Sequence, residues 1–142
     1  MSLNFGSLLA VLAVLGSSAL GTGLWRREER QRRAAFHLSR PRIPLAELHA
    51  QHFGHLDEAE TIALLQQVAE IYGVEPMCLR PEDRFAVELR HLWLSPCDTQ
   101  YDTICDTYEM RRKGAGRETG QYPTTVADYV TGILKPGLLQ QT

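Results

Sequence analysis

The sequence predicts an all-α protein, in which a single N-terminal transmembrane helix precedes a small helical bundle. Three observations predict it. Residues 3–25 hold no charged side chain. Three later segments repeat apolar residues at helical spacing, and each has a helix start signal and a stop signal. No segment shows sustained strand alternation. Four units are expected: an anchor at 1–25, a basic juxtamembrane linker with a short helix at 26–56, the bundle at 57–135 and a tail at 136–142.

The anchor comes first. The run LNFGSLLAVLAVLGSSALGTGLW, Leu3 to Trp25, is 23 residues long, enough to span a bilayer core. Trp25 sits where an interfacial aromatic belongs, and RREERQRR follows directly. The positive-inside rule then places the N-terminus outside and the domain in the cytoplasm. A cleavable signal peptide fits poorly, because no basic segment precedes the apolar run. Ala13, Ser17 and Gly21 recur every four residues and form a face that can seat a second helix. Small residues are also simply common in such spans.

Charge is divided along the chain. Residues 26–42 carry seven arginines and two glutamates, a net of +5, while everything after them carries a net of −7. An acidic domain behind a basic collar argues against nucleic-acid binding, which needs a basic face on the domain itself. It suits a basic partner surface. Cys78, Cys97 and Cys105 contain no C-x-x-C pair and are odd in number, so neither a disulfide framework nor a zinc site is expected.

Residues 34–44 read as a linker broken by Pro41 and Pro44. Pro44 can start a short helix that carries Leu45, Leu48, His52 and Phe53 and stops near Gly54. His49, His52 and His55 are spaced at three. No carboxylate or cysteine completes a ligand set, so they read as surface or packing histidines and no metal is expected. A clearer helix follows. Asp57 and Glu60 form its start signal, Ile62, Leu65, Ala69 and Tyr72 its stripe, and Gly73 its stop. The next stretch has two prolines and reads as an ordered loop pegged by Val74, Leu79 and Phe85. A short helical piece from Phe85 to Leu92 follows it.

The stretch LWLSPCDTQYD starts the next helix. Ser95 reads as its N-cap, Pro96 as its first residue, and Asp98 as an acid at the positive end of the helix dipole. Tyr101, Ile104, Cys105 and Tyr108 share one apolar face. Asp98, Asp102, Asp106 and Glu109 fall at i, i+4, i+8 and i+11 and form an acidic ridge. Arg111, Arg112 and Lys113 close the helix before Gly114. The glycine-rich loop after it matches no phosphate-binding pattern. The last helix begins at Thr124 or Thr125 and buries Val126, Tyr129, Val130, Ile133 and Leu134 before Pro136-Gly137. No catalytic set declares itself: Cys97, Cys105 or Ser95 with His91 as base lacks a third orienting group.

The order of elements, with Gly73, Val74, Pro76, Pro81, Asp83 and Phe85 in one motif and Thr125, Val126, Asp128, Val130 and Ile133 in another, resembles the acyl carrier protein family. The resemblance covers about 78 residues. It implies an acyl-carrier-like helical bundle whose second helix docks onto basic patches of partner enzymes, here through Asp98, Asp102, Asp106 and Glu109. It also implies a phosphopantetheine arm on a serine in an Asp-Ser-Leu triplet. That triplet is absent. The helix start points to Ser95 as the equivalent position, and a longer insertion points to Thr99. Ser95 lacks the preceding aspartate and is followed by proline.

The leading expectation is therefore a membrane-tethered, non-catalytic acyl-carrier-like interaction module without a prosthetic group. Its partner would be a basic protein surface or a membrane complex. The alternatives are a working carrier modified at Ser95 and a small structural subunit of a larger membrane complex.

Overall fold

The computed structural model describes residues 5–135, with side chains described from residue 22 onward. Five α-helices follow in order: α1 Phe5–Ser39, α2 Leu45–Leu48, α3 Glu58–Tyr72, α4 Thr99–Gly114 and α5 Val126–Leu134. A π-helical turn, His49–Phe53, extends α2, and a second, Phe85–Leu89, runs into a 3-10 turn at Arg90–Leu92. No strand occurs among the described residues; one isolated antiparallel bridge joins Arg84 to Thr125.

The expected transmembrane anchor is corrected. Among the described residues no helix is long and apolar enough to cross a membrane. α1 runs on from Phe5 into the charged stretch of residues 26–33, so the part of it whose side chains are described, from residue 22 onward, offers no apolar span. This overturns the single-pass reading of residues 3–25, and with it the outside N-terminus and the cytoplasmic domain. The side chains of Ala13, Ser17 and Gly21, the expected packing face, lie outside the described residues, as does the tail at 136–142.

The expected boundary at residue 25 and the linker at 34–44 also change form. α1 passes through residue 25 without a break and ends only at Ser39. No glycine or proline interrupts residues 24–39, and the helix finds partners on the bundle that a free linker would lack. Phe36 packs against the core. The Glu75 N–H donates to His37 Nε2 at 3.0 Å. Arg40 Nη1 reaches both oxygens of Asp83, at 2.7 and 2.6 Å, and donates to the Cys78 carbonyl at 3.2 Å. Its guanidinium also lies 4.2 Å from the centre of the Phe36 ring.

The bundle proper is built from α3, α4 and α5, and its local signals agree with its packing. Asp57 Oδ1 accepts from the Glu60 N–H at 2.8 Å and caps α3. Gly73, at φ +66°, ends that helix in the left-handed conformation. Thr125 and Asp128 form a reciprocal capping box at the start of α5. Between these ends, Leu64, Leu65, Val68 and Tyr72 of α3 meet Ile104 and Tyr108 of α4 and Val126, Tyr129 and Val130 of α5. Each such side chain contributes about 1.5–3 kcal/mol when fully buried.

The proline-containing loop threads through this core rather than around it. Phe85 lies 6.0 Å from the Tyr72 ring, 6.0 Å from Tyr101 and 6.3 Å from Tyr129, centroid to centroid. Val74 and Leu79 are buried as expected. Backbone bonds from Phe85 N to the Thr124 carbonyl and from Val126 N to the Asp83 carbonyl, both 3.0 Å, tie the loop to the start of α5. Leu48 and Phe53 are fully buried, so the segment after Pro44 folds over the bundle.

Candidate partner-binding site

α4 carries the expected acidic ridge, but its start is not where the sequence suggests. The N-cap is Asp98, whose Oδ1 accepts from the Tyr101 N–H at 3.1 Å. Ser95 therefore does not cap the helix, and Pro96 is not its first residue. The physical cause lies outside the stretch itself. Arg90 Nη1 donates to the Trp93 carbonyl at 3.0 Å and Nη2 to the Ser95 carbonyl at 2.6 Å, while Nε stands 3.6 Å from Asp98 Oδ2. One guanidinium thus holds residues 93–98 as a non-helical strap. It leaves Asp98, the last residue of that strap, to cap the helix.

The four ridge carboxylates divide into two classes. Asp98 is committed to the cap and to Arg90. Glu109 is committed to Lys113 through Oε1 and accepts from the Tyr122 hydroxyl through Oε2 at 2.9 Å. Lys113, and then Tyr122, hold the Glu109 carboxyl below the usual carboxylate range. Asp102 and Asp106 lie one turn apart and are exposed, and their carboxylates make no hydrogen bond or ion pair among the described residues. The free negative charge of α4 is thus concentrated on these two residues.

Cys105 lies between them on the inner side and is only partly exposed. Burial, and then Asp102, Asp106 and Asp98, push its thiol up against the opposing hydrogen bond of Tyr101. Such a thiol is mostly protonated at neutral pH, the opposite of an activated nucleophile. Cys97 is exposed in the strap. His91 is exposed, and its backbone carbonyl accepts from Arg32 Nη1 at 3.1 Å.

Neither hydroxyl considered for a phosphopantetheine arm fits a carrier serine well. Ser95 stands three residues before the cap, in the strap that Arg90 fixes. Thr99 is the first residue of α4 and is exposed, but its Oγ1 donates to Gln100 Oε1 at 3.3 Å, and it is a β-branched alcohol. The spaced histidines are not assembled either. His49 Nε2 pairs with the Leu56 carbonyl at 3.0 Å, and among the described residues no group of three His, Cys, Asp or Glu side chains can hold a metal ion.

Two arginines central to this geometry, Arg90 and Arg40, carry no sequence signal of their role. Both act by bonding backbone carbonyls or a carboxylate distant from their own helix stripes, and spacing rules do not register such contacts. The buried motif residue Asp83 was legible only as part of a pattern.

No family model, no curated protein and no solved structure matches the chain. The likeness to acyl carriers therefore rests on the residues of its two motifs alone.

Proposed function

We propose that this protein is a non-catalytic interaction module that docks a basic surface of a partner protein onto the exposed face of α4. The observation that carries the proposal is the pair Asp102 and Asp106, which is exposed, adjacent and free of any internal counter-charge. Asp98 and Glu109 flank the pair and set its edges, each already held by an arginine or a lysine of this chain. A single exposed ion pair contributes about 0–1 kcal/mol. Two adjacent uncompensated carboxylates act chiefly on encounter rate and on partner choice, and their effect falls with salt.

The test is affinity capture from the native lysate with wild-type protein and with Asp102→Asn/Asp106→Asn. The expected result is a discrete partner captured by wild type at low salt, lost at high salt and absent with the double variant. Equal capture by both proteins removes the proposal. Stoichiometric partners that survive high salt would favour the alternative of a structural subunit in a larger complex.

The alternative reading is a working carrier modified at Ser95, or at Thr99. The intact mass of the chain after incubation with a phosphopantetheinyl transferase decides this. No added arm means no carrier.

A further inference from the structure

A cleft of about 410 Å³ lies between α1 and the start of the strap, lined by Arg26, Glu29, Arg30, Arg33 and Trp93. It uses none of the side chains assigned to the α4 site. We propose that this cleft binds the terminal phosphate of a small phosphorylated molecule.

The argument begins with where the charges go. Helical spacing offers Glu29 two arginine partners, Arg33 at i+4 and Arg26 at i−3. The structure sends it elsewhere: Glu29 Oε1 accepts from the Leu94 N–H at 3.1 Å and makes no ion pair. Glu28 instead pairs with Arg32 at 2.7 Å, on a neighbouring face. The arginines of the cleft are thus left without a carboxylate in contact.

Arg33 is fixed in place. Its guanidinium lies 4.7 Å from the centre of the Trp93 ring. It also rests so close to Gly73 that a Cβ there would stand 2.9 Å from its Nη1. Trp93 is fixed in turn, because its indole N–H donates to the Tyr72 carbonyl at 3.2 Å. Arg33 and Trp93 form a preorganised floor. Arg30 spends only Nε, on the Arg26 carbonyl at 3.2 Å, and the Arg26 guanidinium has no hydrogen-bond or ion-pair partner among the described residues. These two residues sit one turn apart, with Cβ atoms about 5–6 Å from each other. Their planar forks match the spacing of phosphoryl oxygens.

Charge selects the ligand class. Three guanidiniums and one carboxylate leave the cleft at +2. A phosphate monoester carries about −1.5 to −2 at neutral pH and neutralises that charge. A monocarboxylate leaves half of it uncompensated. The volume exceeds what a phosphate alone fills and falls at the lower end of small-ligand sites, which run about 300–1,000 Å³. The cleft is open, so the organic part of the molecule extends toward solvent.

The experiment titrates the full chain with inorganic phosphate, pyrophosphate and acetate at constant ionic strength. The readout is the indole N–H resonance of Trp93, with Trp25 as the internal reference. The expected result is a saturable shift at Trp93 with phosphate and pyrophosphate, and none with acetate. Arg26→Gln/Arg30→Gln should weaken phosphate binding by about tenfold or more, since each lost charged fork removes a charge-assisted hydrogen bond. Both residues are exposed, so the circular dichroism spectrum should not change. Arg27→Gln/Arg111→Gln makes the same change in net charge away from the cleft and should leave binding intact. A linear, unsaturable shift overturns the proposal. Acetate binding as tight as phosphate binding overturns the dianion assignment. Equal weakening by both double variants shows bulk electrostatics and overturns the site.

Discussion

Replacing Arg40 by glutamine tests how α1 is fastened to the bundle. Asp83 is 2% exposed and Arg40 is 20% exposed, so their contact is a nearly buried ion pair. Arg40→Gln leaves a buried carboxylate with the Arg80 backbone N–H, at 2.8 Å, as its remaining donor. Breaking such a pair from one side costs about 3–5 kcal/mol, and the surviving Arg80 bond favours the lower end. About 1 kcal/mol of that belongs to the lost Cys78 bond and the Phe36 ring contact and does not depend on pH.

The remainder does depend on pH. Burial raises the Asp83 carboxyl above its ordinary value of 3.8, and the hydrogen bond from Arg40 is the largest influence opposing that rise. A carboxyl raised in the folded state contributes stability that is fully present below the unfolded pKa and is lost as pH climbs through the folded one. Removing Arg40 raises the folded pKa further, so the variant loses more as pH climbs. The gap between wild type and Arg40→Gln should be about 3 kcal/mol at neutral pH and shrink toward about 1 kcal/mol in acid, once Asp83 is protonated in both proteins and needs no counter-charge. Urea unfolding followed by circular dichroism, at several pH values, measures the gap directly. In an Asp83→Asn background the same substitution should show no pH dependence. A gap that is constant with pH, or wider in acid, refutes the reasoning.

The cap assignment predicts that Asp98→Ala costs about 1 kcal/mol, whereas Ser95→Ala stays within about 0.5 kcal/mol; thermal melts of the two variants decide between the residues. The Tyr72 hydroxyl is buried without a hydrogen-bond partner, and burial, with Asp98 adding to it, pushes the phenol up. Tyr72→Phe should therefore be neutral or stabilising by up to about 1 kcal/mol in the same melts, and a clear loss of stability would show an unrecognised partner. A Cβ at Gly132 would lie 2.3 Å from the Tyr108 hydroxyl oxygen and 2.7 Å from Cε2 of that ring. Tyr108 is 5% exposed and packed against Tyr129, so it has little room to withdraw. Gly132→Ala should cost about 1–2 kcal/mol in chemical unfolding, because an overpacking cost of about 1–3 kcal/mol exceeds the gain in helix propensity of about 1 kcal/mol.

The legible parts of the fold are those whose signals are local. Asp57 and Gly73 mark the ends of α3 because a cap and a left-handed stop depend on neighbours a few residues away. Thr125 with Asp128 marks the start of α5 for the same reason. The apolar stripes of α3, α4 and α5 predict their buried faces, since burial follows the helical period. Asp102 and Asp106 were legible as part of a ridge, but their distinction from Asp98 and Glu109 was not. That distinction depends on Arg90, Lys113 and Tyr122, and the positions of Arg90 and Tyr122 depend on the tertiary fold.

The start of α4 shows why Ser95 misled. Serine, proline and an acid in that order satisfy the rules of a helix start, and Asp98 also satisfies them three residues later. Arg90 decides between the two by gripping the Trp93 and Ser95 carbonyls. The basic collar misled differently. Its arginines imply solvent or a membrane surface when read alone, but several meet the bundle through His91, Trp93, Cys78 and Asp83. An uncharged run before them suggested a span, yet among the described residues no helix meets the length and hydropathy of one.

The sequence by itself determined that this protein is helical, where three of its helices begin or end, and which of their faces are apolar, because each of these depends on contacts within a turn or two. Only the tertiary structure decided which acids remain free, which residue caps α4, and that the arginines after Trp25 line a cleft over Trp93. Those outcomes depend on which guanidinium reaches which oxygen across tens of residues, and that distance is set by packing.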